Sequence, residues 1–254
     1  MANELFSEAM DLVSLYIQLE DNLKPLRVRQ KSLHFLEAYE ALFGKFRGCA
    51  PSVLEIGCGY PASTSGLEND MGGSLKLWSK WFGKGTRVTG IDIIPECRKY
   101  ADEAEGISVE IGSQDDEDFL SSVARKYGPF DIIIDDGSHI DSHIEFSFFA
   151  LFPYLRNGGY YAIEDINDHV KSGHSFVSKD RFIYKCLGLV ENLQKYSEMV
   201  HLQQANGLLD YQPNNLSSMD VGLDAVHFYR DLICVCKRFR EKSVQMPMPP
   251  HYFF

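Results

Sequence analysis

The sequence has no run of about 18 apolar residues, the length a bilayer-spanning helix needs. Its first residues, Met1-Ala2-Asn3-Glu4, lack the basic start and apolar core of a secretory signal. Basic residues are in the minority: 25 Lys and Arg stand against 36 Asp and Glu, a net charge of −11, and the longest basic cluster is Lys237-Arg238-Phe239-Arg240. Such a balance disfavours a nucleic-acid partner, whose phosphates are bound through Lys and Arg. The six cysteines, at 49, 58, 97, 186, 234 and 236, form no Cys-x-x-Cys pair and no zinc-ligand spacing. Cys234 and Cys236 alternate within an apolar strand pattern and read as packing residues. These absences imply a reduced, cytoplasmic setting without membrane or nucleic acid. No internal repeat and no low-complexity linker divides the chain, so its 254 residues read as a helical extension over 1–50 and one α/β domain over 51–254. Whether it forms a homo-oligomer is open.

What is present is a set of apolar strands that end in acids. Phe130-Asp-Ile-Ile-Ile-Asp-Asp-Gly-Ser-His139 carries a continuous Ile132-Ile133-Ile134 run, the pattern of a parallel strand covered on both faces. Beyond it stand Asp135, Asp136 and His139. A second run, Tyr160-Tyr161-Ala162-Ile163, ends in Glu164-Asp165. Ligands of open α/β sheets bind beyond the carboxyl ends of the strands, so two neighbouring strands of this kind would bring carboxylates and an imidazole to one edge. Alternation sends Asp135 and Asp136 to opposite faces, which makes Asp135 a strand-end cap or a contact on the cofactor side.

Helical spacing of Leu12, Leu15, Tyr16 and Leu19 predicts a first helix interrupted at Pro25, and a second is expected over Ser32 to Phe46. Strands follow at Ser52–Ile56, Val88–Ile91, Ile107–Ile111, Phe130–Ile134 and Tyr160–Ile163. Helices separate them, starting near Ser74 as N-cap, at Pro95, at Asp115 and at His143. A helix around Phe182 to Met199 and an antiparallel hairpin of Ala225–Tyr229 and Leu232–Cys236 complete the chain. The βαβ rhythm predicts a doubly wound, mostly parallel sheet.

The turn Glu55-Ile56-Gly57-Cys58-Gly59 puts an acid at the end of the first strand and two glycines after it, where backbone can approach a ligand closely. The third glycine of a dinucleotide fingerprint is replaced by Ala62, preceded by Pro61, which weakens a phosphate cradle. Asp92, ending the second strand, is placed to accept from ribose hydroxyls. Acid, glycine turn and second acid fit S-adenosylmethionine at least as well as NAD. Gln114 and Asp115 are candidates for its adenine end, with Asp115 equally suited to cap the next helix.

Glu55-Ile56-Gly57, Gly72-Gly73-Ser74-Leu75-Lys76-Leu77-Trp78, Gly90-Ile91-Asp92, Gly128-Pro129-Phe130-Asp131, Ile134 to His139, Gly158 to Asp165 and Val226-His227-Phe228-Tyr229 together resemble the metal-dependent sugar O-methyltransferases of macrolide biosynthesis, the mycinamicin type. The resemblance is dense over residues 50–165 and looser over 224–238, and it extends to cephalosporin hydroxylase-type proteins. It implies a Rossmann-like class I methyltransferase fold with a seven-stranded sheet. It also implies that Asp136, Glu164 and Asp165 are ligands of Mg²⁺ or Mn²⁺ and that His139 is the general base, acting with Asp136. It implies too that Glu55 and Asp92 hold the cofactor, and Gly57, Gly59, Ser74, Gln114, Asp115 and Asp135 complete the expected cofactor site. The segment Ile166-Asn167-Asp168-His169-Val170 departs from the family pattern, and so bears on the acceptor.

The chemistry that follows is an in-line methyl transfer to a hydroxyl of a glycosylated or vicinal-diol natural product. Hard carboxylate oxygens select Mg²⁺, Mn²⁺ or Ca²⁺, and an imidazole is matched to proton removal near neutral pH. Methylation at carbon or nitrogen, a metal-assisted oxidation, and a non-catalytic S-adenosylmethionine-binding module stay open as alternatives. His143, four residues past His139, reads as a solvent-facing or cap residue.

Overall fold

The computed structural model describes residues 10–22, 33–59, 72–166, 181–190, 193 and 222–238. Pro25, Ser32, Pro61, Ala62, Asn167 to Val170 and, of the expected late helix, positions 191, 192 and those beyond 193 lie outside these residues.

Two N-terminal helices, α1 (Leu12–Asn22) and α2 (Leu33–Phe43), precede the alternating part of the chain. That part runs β1 (Ser52–Ile56), α3 (Gly73–Phe82), β2 (Arg87–Asp92), β3 (Ile107–Ile111), α4 (Glu117–Tyr127), β4 (Phe130–Asp135), α5 (Asp141–Leu151) and β5 (Leu155–Glu164). The hairpin β6 (Leu223–Tyr229) and β7 (Leu232–Lys237) closes it, and residues 182–190 are also helical. The seven strands are ordered β3-β2-β1-β4-β5-β7-β6. The first five are parallel, and β7 runs antiparallel to both β5 and β6. Strand order reverses between β1 and β4, and a ligand crevice belongs at the carboxyl side of that point.

Strand periodicity divides the interior into two layers. Val53, Val88, Ile132, Ile134 and Ala162 pack with Leu12, Phe35, Tyr39, Trp78 and Trp81, so α1, α2 and α3 cover one face. Leu54, Ile91, Ile133, Tyr161 and Ile163 pack with Leu120, Phe148 and Phe182, so α4, α5 and the 182–190 helix cover the other. Complete burial of Ile132, Ile133 and Ile134 accounts for the unbroken apolar run of β4, whose two faces are both interior. The helices before residue 50 are part of the first layer, and Glu40 Oε2 accepts from Leu12 N at 2.7 Å to join α1 to α2.

Several boundaries differ from the sequence reading. Helix α3 is capped by Gly72 and not by Ser74, which lies inside the first turn. Asp116, not Asp115, caps α4, its side chain accepting from Phe119 N at 3.0 Å. The Pro95 helix is a 3₁₀ turn over Pro95–Tyr100. The second expected helix ends at Phe43 and continues as a 3₁₀ turn to Phe46, and α5 starts at Asp141. Cys234 and Cys236 are buried in β7, as packing residues should be.

Candidate active site

Alternation along the parallel strands decides which acids can meet. Since Val53, Val88, Ile132, Ile134 and Ala162 belong to the layer under α1, α2 and α3, residues two apart from them share that face. Glu55 at the end of β1, Asp92 at the end of β2, Asp136 just past β4 and Glu164 at the end of β5 therefore all lie on the same side of the sheet. Asp135 falls on the opposite side, as the sequence pattern requires.

The ends of β4 and β1 are each tied to a neighbouring strand by backbone. Asp136 N donates to Ile56 O at 2.9 Å, and Gly57 N donates to Ile91 O at 2.8 Å. The approach is close enough that a Cβ on Gly57, whose φ is +81°, would stand 2.2 Å from the Asp136 carbonyl oxygen. The two glycine-bearing turns thus pack backbone against backbone, which only glycine permits here.

Beyond β4 and β5 the chain brings Asp136, His139 and Asp165 together, with their ligand atoms within 4.8 Å of one another. His139 Nε2 lies 3.1 Å from Asp136 Oδ1 and 3.8 Å from Asp165 Oδ2. Two of the three residues have left-handed backbones, His139 at φ 59° and Asp165 at φ 50°. Non-glycine residues adopt this region at a cost of order 1–3 kcal/mol and cluster at functional sites. Glu164 is 1% exposed and accepts a 2.7 Å hydrogen bond on Oε1 from the hydroxyl of Tyr39. Burial, with the negative charges of Glu164 and Asp136 nearby, holds the Tyr39 phenol well above its ordinary range. The two carboxylates supply oxygen ligands of the kind a hard divalent cation takes, the imidazole beside them suits proton transfer better than such a cation, and Glu164 is not among the three.

The remaining candidates are placed less directly. Asp92 Oδ2 accepts from Cys58 N and Gly59 N at 3.0 Å each, and Oδ1 accepts from Ile94 N at 2.9 Å. It braces the glycine turn, a role the sequence reading did not include, and a carboxylate with about four acceptor positions can take one more donor. Glu55 is completely buried. Cys58, between the glycines, contacts the Cys97 thiol, which with burial pushes its own pKa upward, so it behaves as an inert packing thiol.

Asp135 and Gln114 meet in a buried network on the far side of the sheet. Ser147 Oγ donates to Asp135 Oδ2 at 2.6 Å, Tyr161 Oη donates to the same oxygen at 3.3 Å, and Gln114 Nε2 reaches Asp135 Oδ1 at 3.2 Å. Burial pushes Asp135 up to about 6, although the Ser147, Gly137 and Gln114 hydrogen bonds pull against it. Gln114 Oε1 accepts from Ser138 N at 2.7 Å, so this network holds from behind the loop that carries Asp136 and His139. Both Gln114 amide ends are thereby engaged with protein. Asp115 bonds Ser113 Oγ and lies 3.4 Å from His143 Nε2, while Ser138 Oγ is 3.1 Å from His143 Nδ1. His143 therefore bridges two loops of the crevice and is neither free in solvent nor a cap.

Sequence reasoning missed Tyr39, Ser147, Tyr161 and Arg181. The buried Arg181 donates from Nη2 to Ile166 O at 2.9 Å, directly after Asp165. Each acts across 12 to 125 positions of chain, and nothing local to it in the sequence marks that reach.

No protein-family model matches the chain. Over 216 residues it is 44% identical to the 8-demethyl-8-(2-methoxy-alpha-L-rhamnosyl)-tetracenomycin-C 3'-O-methyltransferase of Streptomyces olivaceus, covering 84% of this chain and 51% of that protein. It is likewise 44% identical over 133 residues to the mycinamicin VI 2''-O-methyltransferase of Micromonospora griseorubida, covering 52% of this chain and 31% of that one. The chain spans about half the length of the first of these relatives and less of the second. Among solved structures, the MycE methyltransferase of the mycinamycin biosynthetic pathway, in complex with Mg, SAH and mycinamycin VI, superposes with a TM-score of 0.71 at 29% identity. The match covers 97% of this chain and 58% of that one. The doubly wound sheet with its antiparallel hairpin is thus a Rossmann-like methyltransferase fold, and the chain is a homologue of the sugar O-methyltransferases of macrolide and tetracenomycin biosynthesis.

Proposed function

We propose that the protein is an S-adenosylmethionine- and divalent-metal-dependent O-methyltransferase that modifies a sugar hydroxyl of a natural product. The observation that carries this reading is the convergence of Asp136, His139 and Asp165 within 4.8 Å at the carboxyl edge, beside the turn that Gly57 permits. The relatives named above, O-methyltransferases of a rhamnosyl tetracenomycin and of mycinamicin VI, support it.

In this reading Glu55, Gly57, Gly59 and Asp92 hold the cofactor on the side of β1 and β2, with Ser74 and Asp115 at its margins. Asp135 and Gln114 serve it from behind through the loop of Ser138. Asp136, Glu164 and Asp165 are the ligands of Mg²⁺ or Mn²⁺. S-adenosylmethionine supplies an electrophilic sulfonium methyl, and a bound divalent ion supplies Lewis acidity toward a hydroxyl. His139 accepts the hydroxyl proton on Nδ1, because Nε2 faces the Asp136 carboxylate, which can only accept and so keeps the ring proton on that nitrogen. Asp136, 3.1 Å from Nε2, orients the ring. Left-handed backbone at His139 and Asp165 turns both side chains into the crevice against the alternation of an extended chain. The acceptor is taken to be a sugar-bearing small molecule.

Calorimetric titration with S-adenosylhomocysteine tests the cofactor half of the reading. Binding is expected, with affinity weakened by roughly 1–3 kcal/mol in Asp92→Ala, the usual cost of leaving polar partners unpaired. Binding of NADH with none of S-adenosylhomocysteine would overturn it.

A further inference from the structure

The helix α2 lies in the part of the chain that sequence reading treats as an extension, yet it delivers a hydroxyl to the carboxyl edge. Tyr39 is completely buried, and its hydroxyl donates to Glu164 Oε1 at 2.7 Å across 125 positions of chain. The ring is fixed independently of that bond. Phe43 stacks on it with centroids 4.7 Å apart and planes at 15°, and Trp78 of α3 meets it edge-on at 5.6 Å. A buried phenol ordinarily finds a polar partner, and a carboxylate serving only that purpose would be the simplest account. Glu164, however, is the last residue of β5, on the face shared with Asp136 and directly before Asp165. A rigid donor on a carboxylate at such a position fixes which way the carboxylate points, as outer-shell partners of metal ligands do.

We propose that Tyr39 is the positioning residue of Glu164 in the divalent-metal site, so that the site is assembled from α2 as well as from the ends of β4 and β5. This rests on the assignment of Glu164 as a ligand made above. The substitution that isolates it is Tyr39→Phe, which keeps the ring and its packing and removes one oxygen. Mn²⁺ binding, read by electron paramagnetic resonance without cofactor or acceptor, is compared in wild type, Tyr39→Phe, Glu164→Gln and the double variant. Tyr39→Phe is expected to raise the Mn²⁺ Kd by roughly 10–100-fold, the range seen when an outer-shell partner is lost. In the double variant it should add nothing to the effect of Glu164→Gln, since two groups acting through one bond are not additive.

A hydroxyl with a purely structural role would lower the unfolding temperature in chelator and leave Mn²⁺ affinity unchanged; that result overturns the proposal. Failure of the wild type to bind Mn²⁺ at all would overturn the ligand assignment along with it. If Tyr39→Phe does not fold, difluorotyrosine placed at position 39 keeps the shape and alters only donor strength. A shifted Mn²⁺ Kd is then expected, and a value identical to wild type overturns the role.

Discussion

A Cβ placed on Gly57 would stand 2.2 Å from the carbonyl oxygen of Asp136, and neither backbone can retreat without breaking a sheet hydrogen bond. Gly57→Ala is therefore expected to destabilise the fold by more than about 2 kcal/mol, combining left-handed strain with overlap. Thermal unfolding against wild type checks it. Asp135 gives a test of a different kind. Its folded pKa, about 6, lies above the ordinary carboxylate value near 4, so the folded state favours the protonated acid. Its contribution to stability is full below about pH 4 and is lost as pH rises through about 6. Asp135→Asn stays neutral throughout. In chelator, the stability of wild type relative to that variant should fall between pH 4 and 6 and stay level above; a difference independent of pH would contradict the burial argument. At this scale the convergence of Asp136, His139 and Asp165 is legible because each follows an apolar strand within a few positions. Tyr39 and Ser147 are not, because their carboxylate partners are distant in sequence and meet them only through packing.

The elements were legible where periodicity is strong. The Ile132-Ile133-Ile134 run, the hairpin around Arg230-Asp231 and the apolar spacing of α1 all correspond to observed structure. Helix starts are less legible, for a physical reason. Ser113, Asp115 and Asp116 all offer cap chemistry, and the choice falls to Asp116 because Asp115 is drawn to Ser113 and His143 instead. Asp116→Ala should cost about 1 kcal/mol of stability and leave cofactor affinity untouched, whereas Asp115→Ala should leave the α4 cap intact. Denaturant unfolding of the two variants separates them. The stretch Gly57 to Gly59 just past β1 depends on a side chain from another strand, since Asp92 takes the amides of Cys58 and Gly59. Asp92→Asn sets a donor among those amides, so their hydrogen exchange is expected to accelerate even without cofactor. Unchanged exchange at both amides would show that the stretch holds itself.

For the whole molecule, the strand order matters more than any single residue. Because β1 and β4 are neighbours at the point where the order reverses, acids from the ends of β1, β2, β4 and β5 reach one face of one edge. The rhythm of strands and helices made a doubly wound sheet legible. The sharing of a face by Glu55, Asp92, Asp136 and Glu164 needed the register and the two interior layers. So did the membership of α1 and α2 in the core beneath that face, since the apolar spacing within residues 1–50 marks a buried side of the helices but not what covers it. The central claim is that this edge transfers a methyl group to oxygen with the help of a divalent ion. The direct measurement is mass spectrometry of a deoxysugar-bearing polyketide acceptor incubated with S-adenosylmethionine, in Mg²⁺ and in exhaustive chelator. The account predicts a gain of one methyl group on a sugar oxygen in Mg²⁺, none in chelator, and recovery when Mg²⁺ or Mn²⁺ is returned. A methyl group on carbon or nitrogen, or undiminished transfer in chelator, would contradict it.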